Sequence, residues 1–366
     1  MIGRAPRSLT ALSLVPVLAA CSAIGDVRRE PPARTSAPPR PVGTAPAPSP
    51  EADGVEVRRA ALAIAGRYDR PYVEFTDPDH GWALFGSCGS RPPARNCPAV
   101  LYTTLDGGRS WSRVRHPRPL AWDQQLHTAP GMAAIRVDRE GWYTSTDGGA
   151  SFPRTAGEPA VWRVAQGRFQ VDEATGRVAR WDGRRLVALA AQPSVPRVDT
   201  VGEGGGLLAA AGVDDDGWPY AAVSSDGGRS WRAGPLPSPG GEVIVVRVRT
   251  APDGELWLVG ERPDRTGLPA LWRHRDGWVP VTAPQRPDRV GSVAPLGAGR
   301  VAVNGPEGPG LLVDGRYERL GWPVGPEHHL SVLPDGTVVA RGPQDVLLGA
   351  GGGTDRRWVR VVVQDG

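Results

Sequence analysis

Seven times along the chain a glycine opens a short run in which apolar and other side chains alternate. The runs are GWALF from Gly81, GMAAIRV from Gly131, GRFQV from Gly167, GLLAAAG from Gly206, GELWLVG from Gly254, GRVAVNG from Gly299 and GTVVARG from Gly336. Alternation puts every second side chain on one face, so these runs predict strands. APDG before Glu255 and LPDG before Thr337 add hairpin-type turns whose glycine is free to take a positive φ. Around each run the chain parses into four short strands. In the first unit they fall at about 72–76, 82–86, 100–104 and 112–116, and in the last at about 329–333, 337–341, 346–349 and 358–363.

A second pattern gives the same count in a different register. Asp106, Asp147 and Asp226 each stand in a DGG triplet, spaced by roughly one and then two units of forty residues. The gap between the second and third is filled by Asp182-Gly183, and weaker versions continue at Asp276, Asp314 and Asp355. A period near forty with four strands per unit predicts an all-β fold, a single β-propeller of seven four-stranded blades over residues 72–363. Residues 55–64 (VEVRRAALAI) precede the first blade, and their pattern admits either an added strand or a short helix.

Composition supports short strands and turns, with Gly 49 and Pro 39 among 366 residues. Formal charge is only +4, and every cation is arginine; the arginines are scattered and the acids nearly as many. That balance argues against nucleic acid, whose binders gather basic residues on one face.

The N-terminal stretch MIGRAPRSLTALSLVPVLAAC has two early arginines and an apolar run from Leu9 to Ala20. It is shorter than the roughly 20 apolar residues of a membrane span and fits an export signal. Its ending LAAC resembles a bacterial lipobox, which implies removal of residues 1–20 and lipid attachment at Cys21. Residues 21–54 are Pro/Ala-rich without apolar periodicity and read as a tether to the domain at 55–366. The expected location is therefore the outer face of a bacterial cell membrane, with the lipid as the membrane contact. Cys88 and Cys97 stand close together in CGSRPPARNC and are expected to pair in an oxidising compartment. A metal is the alternative there, but two thiols without nearby histidine supply too few ligands.

The repeated phrases fit S/T-x-D-x-G-x-x-W/F at Thr104/Asp106/Gly108/Trp111, Ser145/Asp147/Gly149/Phe152 and Ser224/Asp226/Gly228/Trp231. This pattern resembles the Asp-box, or BNR repeat, of sialidases, sortilin-like receptors and photosystem II stability factors. The resemblance implies a propeller and a structural role for these residues. The aspartate ties turn N–H groups, glycine permits the reversal, and the aromatic packs the hairpin. Sialidases also imply an arginine triad and a Tyr nucleophile paired with Glu. Here RYDRPY, Arg67–Tyr72, gives only a loose echo of their N-terminal motif.

No serine-hydrolase, zinc-protease or phosphate-loop motif is present. EHHL, residues 327–330, and DDDG, residues 214–217, are read as surface loops, so no metal or cofactor is expected. The expectation is a monomeric, non-enzymatic module that binds a protein or an envelope glycan, with a glycoside hydrolase as the competing class. Loops flanking the innermost strands nominate Asp77, Asp79, Trp122, Asp123, His127 and His328 as the ligand face.

Overall fold

Six of the seven glycine-opened runs become the second strand of a sheet, and the run from Gly167 the first strand of a three-stranded one, in the computed structural model. It describes residues 54–62, 64, 68–86, 98–120, 124–237, 242–263, 268–283, 285 and 287–365. The first sheet runs outward from Tyr72–Phe75 through Gly81–Phe85 and Val100–Thr104 to Ser112–Val114, each strand antiparallel to the last. Six further sheets follow in sequence order, and the chain is a seven-bladed β-propeller. Gly254 and Gly336 turn the chain from innermost to second strand at φ of +85° and +87°, conformations strained for any residue with a Cβ.

The core lies in the seams between blades. Phe75, Phe85 and Val100 of the first blade pack with Val339, Leu348 and Val361 of the seventh. Trp82 and Leu101 of the first pack with Leu126 and Ile135 of the second. Corresponding clusters join the fourth blade to the fifth, the fifth to the sixth and the sixth to the seventh. The up-and-down order of strands sends every turn between first and second strands, and every repeat hairpin between third and outer strands, to one end of the ring. The loops that pass between blades gather at the other end.

Each complete hairpin is tied identically. In the fourth blade Ser224 Oγ accepts the N–H of Gly228 at 2.8 Å and donates to Asp226 Oδ1 at 2.7 Å. Asp226 Oδ1 accepts the N–H of Ser230 at 3.0 Å, and Oδ2 accepts its hydroxyl at 2.6 Å. The same bonds recur around Asp106 and Asp147, with Ser110 and Ser151 in the place of Ser230. The sequence carries this serine four residues after each aspartate. The hairpins also reach backwards: a Cβ on Gly108 would press on Val361 of the seventh blade, one on Gly149 on Val114 of the first, and one on Gly228 on Leu189 of the third.

The aromatics of the pattern pack beside their hairpins and reach further than the hairpin itself. Trp111, Phe152 and Trp231 are half-buried, and Trp231 lies against Gly228 of its own hairpin while all three also face the seam with the preceding blade. Trp111 packs on the cluster shared by the seventh and first blades, its ring edge-on to Phe75 at 6.3 Å. Phe152 packs on the cluster shared by the first and second blades. Trp231 donates its Nε1–H to Ala191 O of the third blade at 3.2 Å. The buried Nε1–H of Trp111 finds no acceptor among the described residues, so that ring holds by apolar contact alone. The physical reason is the hairpin's position at the blade edge, where the apolar surface left to cover belongs to the neighbour. The hairpin is thus a clasp on the preceding blade as well as a turn.

Two blades depart from four strands. The seventh holds His329–Val332, Val338–Arg341, Val346–Ala350 and Arg357–Asp365, and then gains a fifth strand, Val55–Leu62. This resolves the open choice at 55–64: residues 55–62 form a strand, parallel to Arg357–Asp365, with Val55 opposite Trp358 and Leu62 opposite Asp365. The third blade has only Phe169–Asp172, Arg177–Trp181 and Leu186–Ala188. A short helix, Ala160–Ala165, takes the place of its innermost strand. Trp162 of that helix packs on Met132, Ala134 and Trp142 of the second blade. Buried Gln170 donates to Arg163 O at 2.6 Å and Gly167 O at 2.9 Å, which fastens the helix to the sheet.

Candidate functional site

The residues nominated from sequence do not share one surface. Asp77 and Asp79 lie in the turn after the innermost strand of the first blade, at the hairpin end. Asp77 Oδ1 accepts the N–H groups of Asp79 and His80, both at 2.9 Å, and contacts His80 Nδ1 at 2.8 Å. Burial raises the Asp77 carboxyl, but the bonds from His80 and Asp79 outweigh it and hold the group below its ordinary range. Asp79 O accepts the N–H of Gly107 at 2.8 Å, which joins this turn to the repeat hairpin of its own blade.

His127 sits in the seam between the second blade and the helix, its ring 4.8 Å from Trp142 and 5.0 Å from Trp162. His328 lies at the opposite end of the ring from Asp77, in the loop entering the seventh blade. Its Nε2 meets Asp345 Oδ1 at 2.8 Å, and Arg360 Nε holds Asp345 Oδ2 at 3.1 Å. His328 Nδ1 lies 3.1 Å from the Gly325 N, 3.2 Å from Gly325 O and 3.3 Å from Glu327 Oε1. This buried set braces a loop. Trp122, Asp123, Cys21, Cys88 and Cys97 lie outside the described residues.

Asp79 does line a concave site. Where the N-terminal strand passes the hairpin of the first blade, a cleft of about 180 Å³ opens at the seam between the seventh and first blades. Arg58 and Glu56 enter it from the N-terminal strand, Arg357 from the last strand, and Arg109 and Asp79 from the first blade. Leu348, Ala350 and Val359 supply an apolar wall. Arg58 Nη1 donates to Gly107 O at 2.6 Å and Nε to Glu56 Oε1 at 2.8 Å. Arg109 adds a contact to the same Glu56 oxygen at 3.3 Å and a bond to Asp106 O at 3.1 Å. The bond from Arg58 holds the Glu56 carboxyl below the ordinary range; burial opposes it, and the charges of Arg58, Arg109 and Arg357 add to it.

The seam beside the cleft is bonded further in. Arg341 of the seventh blade donates to Glu74 Oε2 of the first at 2.6 Å and to its neighbour Ser331 Oγ at 2.8 Å, with Glu74 buried. Arg70 Nη1 donates to Pro343 O at 2.6 Å. Local sequence does not pair these arginines with their partners. Only the ring closure reveals which of them meet. No group of His, Cys, Asp and Glu with metal-holding geometry occurs among the described residues.

No protein-family model matches the chain, and no curated protein matches it. Among solved structures it is similar to YCF48 bound to a D1 peptide, at 17% identity and a TM-score of 0.44, covering 83% of this chain and 94% of that one. It is similar to YCF48 from Cyanidioschyzon merolae at 13% identity and a TM-score of 0.42, covering 78% and 94%. It is also similar to Kluyveromyces lactis Hsv2 at 12% identity and a TM-score of 0.42, covering 80% and 98%. The ring of seven blades rests on the strand pairing described above, independently of these distant likenesses.

Proposed function

We propose that this chain is a lipid-anchored, extracytoplasmic binding module of the Asp-box propeller type, which presents a surface to a protein or cell-envelope glycan and performs no chemistry on it. One observation carries this reading. Several side chains capable of acid–base work are committed to the frame: Asp106, Asp147 and Asp226 to their hairpins, Glu74 to Arg341, and His328 to Asp345. The anchor rests on LAAC at Cys21, and the Cys88–Cys97 pair on the export that anchor implies.

A glycoside hydrolase is the second reading, favoured by one feature: Glu56 and Asp79 line a single arginine-bearing cleft. Such enzymes need one carboxyl held protonated as the acid. Glu56 is pushed the other way by its guanidinium partners. The test uses the purified protein as bait for envelope extract, together with fluorogenic sialoside and glucoside assays. Specific capture without turnover is expected; turnover that Glu56→Gln or Asp79→Asn abolishes overturns the binding reading. Separately, Cys21→Ala should move the protein from the membrane to the soluble fraction, and unchanged membrane retention rules out the lipid anchor.

A further inference from the structure

We propose that the cleft at the seam between the seventh and first blades is a binding site for one compact oxyanion group, the carboxylate or phosphate of an envelope ligand. This deepens the binding-module reading and rests on it.

Three guanidinium groups, those of Arg58, Arg109 and Arg357, face one space with only Glu56 and Asp79 against them, so cations are in surplus. The cleft already handles an oxyanion. Glu56 is a carboxylate of the chain itself, and both Arg58 and Arg109 bond to its Oε1. Arg58 is fully engaged by Glu56 and the hairpin carbonyls, with only 10% of its side chain exposed. Arg109 keeps 57% of its side chain exposed, and Arg357 is exposed with no hydrogen bond described for it. Arg109 gives one bond each to Asp106 O and Glu56 but stays open to solvent, so it and Arg357 are the guanidinium groups an incoming anion can reach, and forked donors suit such a ligand.

Size and walls narrow the ligand. At about 180 Å³ the cleft is smaller than the roughly 300–1,000 Å³ typical of sites that enclose a whole small molecule, so it takes one charged group and its immediate carbons. The apolar wall of Leu348 and Val359 keeps water from one side and strengthens attraction between an anion and the guanidinium groups. An anion held by both Arg109 and Arg357 would bridge two blades, so binding should also tighten the seam.

The experiment is titration of the purified full-length protein, followed by NMR shifts of arginine side chains and by thermal melting. Glucuronate and inorganic phosphate are the two probes, with glucose as the neutral control. Both anions are expected to bind and to raise the melting temperature, and glucose to do neither. Tighter binding of glucuronate would identify a carboxylate source, and tighter binding of phosphate a phosphorylated one. Arg357→Gln, at an exposed position, should weaken binding about tenfold, the loss of one charged hydrogen bond. Glu56→Gln removes the competing carboxylate and should tighten it. Unchanged affinity in Arg357→Gln, or equal response to glucose, overturns the site. If no anion binds while the protein still captures an envelope partner, this inference fails and the binding-module reading stands. If anions bind and a glycoside is hydrolysed, the site stands and that reading fails.

Discussion

The third and seventh blades break the four-strand plan in opposite directions. The third replaces its innermost strand with the helix Ala160–Ala165, and the seventh adds Val55–Leu62 outside its last strand. Neither change interrupts the ring, because each preserves contact with a neighbour. Trp162 fills the face of the second blade, where the corresponding innermost strand elsewhere supplies a residue such as Leu126. Arg58 reaches from the added strand to Gly107 O of the first blade. The ladder of backbone bonds within a blade can therefore vary, provided that the side chains crossing each seam are supplied from somewhere.

If seam contacts dominate, removing the added strand that clasps the first blade should do the greatest harm. A variant lacking residues 55–62 loses buried Leu62, the Arg58 clasp and eight paired positions. It is expected to lose about 5 kcal/mol or more in denaturant unfolding. An unchanged midpoint would show the strand to be ornament.

Arg341→Gln leaves Glu74 as a buried charge without its partner and should cost about 3 kcal/mol. On the opposite side of the comparison, Trp162→Ala should cost about 2 kcal/mol, since the ring is only partly buried. Were Trp162→Ala as harmful as deleting the added strand, the helix would be more than a filler.

Ser224→Ala removes the acceptor of a buried N–H in the clasp between the fourth and third blades and should cost about 1–2 kcal/mol. The smallest effect concerns acid. Asp106 is pulled from 3.8 down to about 2 by the Ser110 hydroxyl and backbone N–H, with Thr104 adding to them against burial. A depressed folded value means stability that is full above 3.8 and is lost as pH falls toward about 2. Melts of wild type and Asp106→Asn should converge over that window, the variant being flatter; parallel curves would remove the carboxylate from the clasp.

Much of the ring was legible in the chain. Expected strands of the first and last blades lie within one or two residues of those found, because alternation and turn glycines act locally. The polar ties of the hairpin were legible for the same reason. Where Trp111 and Phe152 pack was not, because the surfaces they cover include residues of another blade. The fate of VEVRRAAL was also hidden, since its partner strand begins at Arg357 and only pairing across the whole chain selects strand over helix. So was the helix at Ala160–Ala165, a short apolar stretch that alternation does not classify. The cleft was least legible. Of its charged residues only Asp79 was nominated, because Glu56, Arg58, Arg109 and Arg357 become neighbours only when the ends of the chain meet.

That meeting of ends sets an order of events. Val55–Leu62 is the first strand of the domain to be made, and its partner Arg357–Asp365 is the last. A pair so distant along the chain carries the largest loop-closure penalty and forms late. Blades one to six can assemble as the chain grows, but the seventh keeps an open outer edge until the nine-residue strand Arg357–Asp365 arrives. A chain interrupted before Arg357 therefore leaves Val346–Ala350 as an open sheet edge, Val55–Leu62 without a partner strand, and the cleft without Arg357 and Val359.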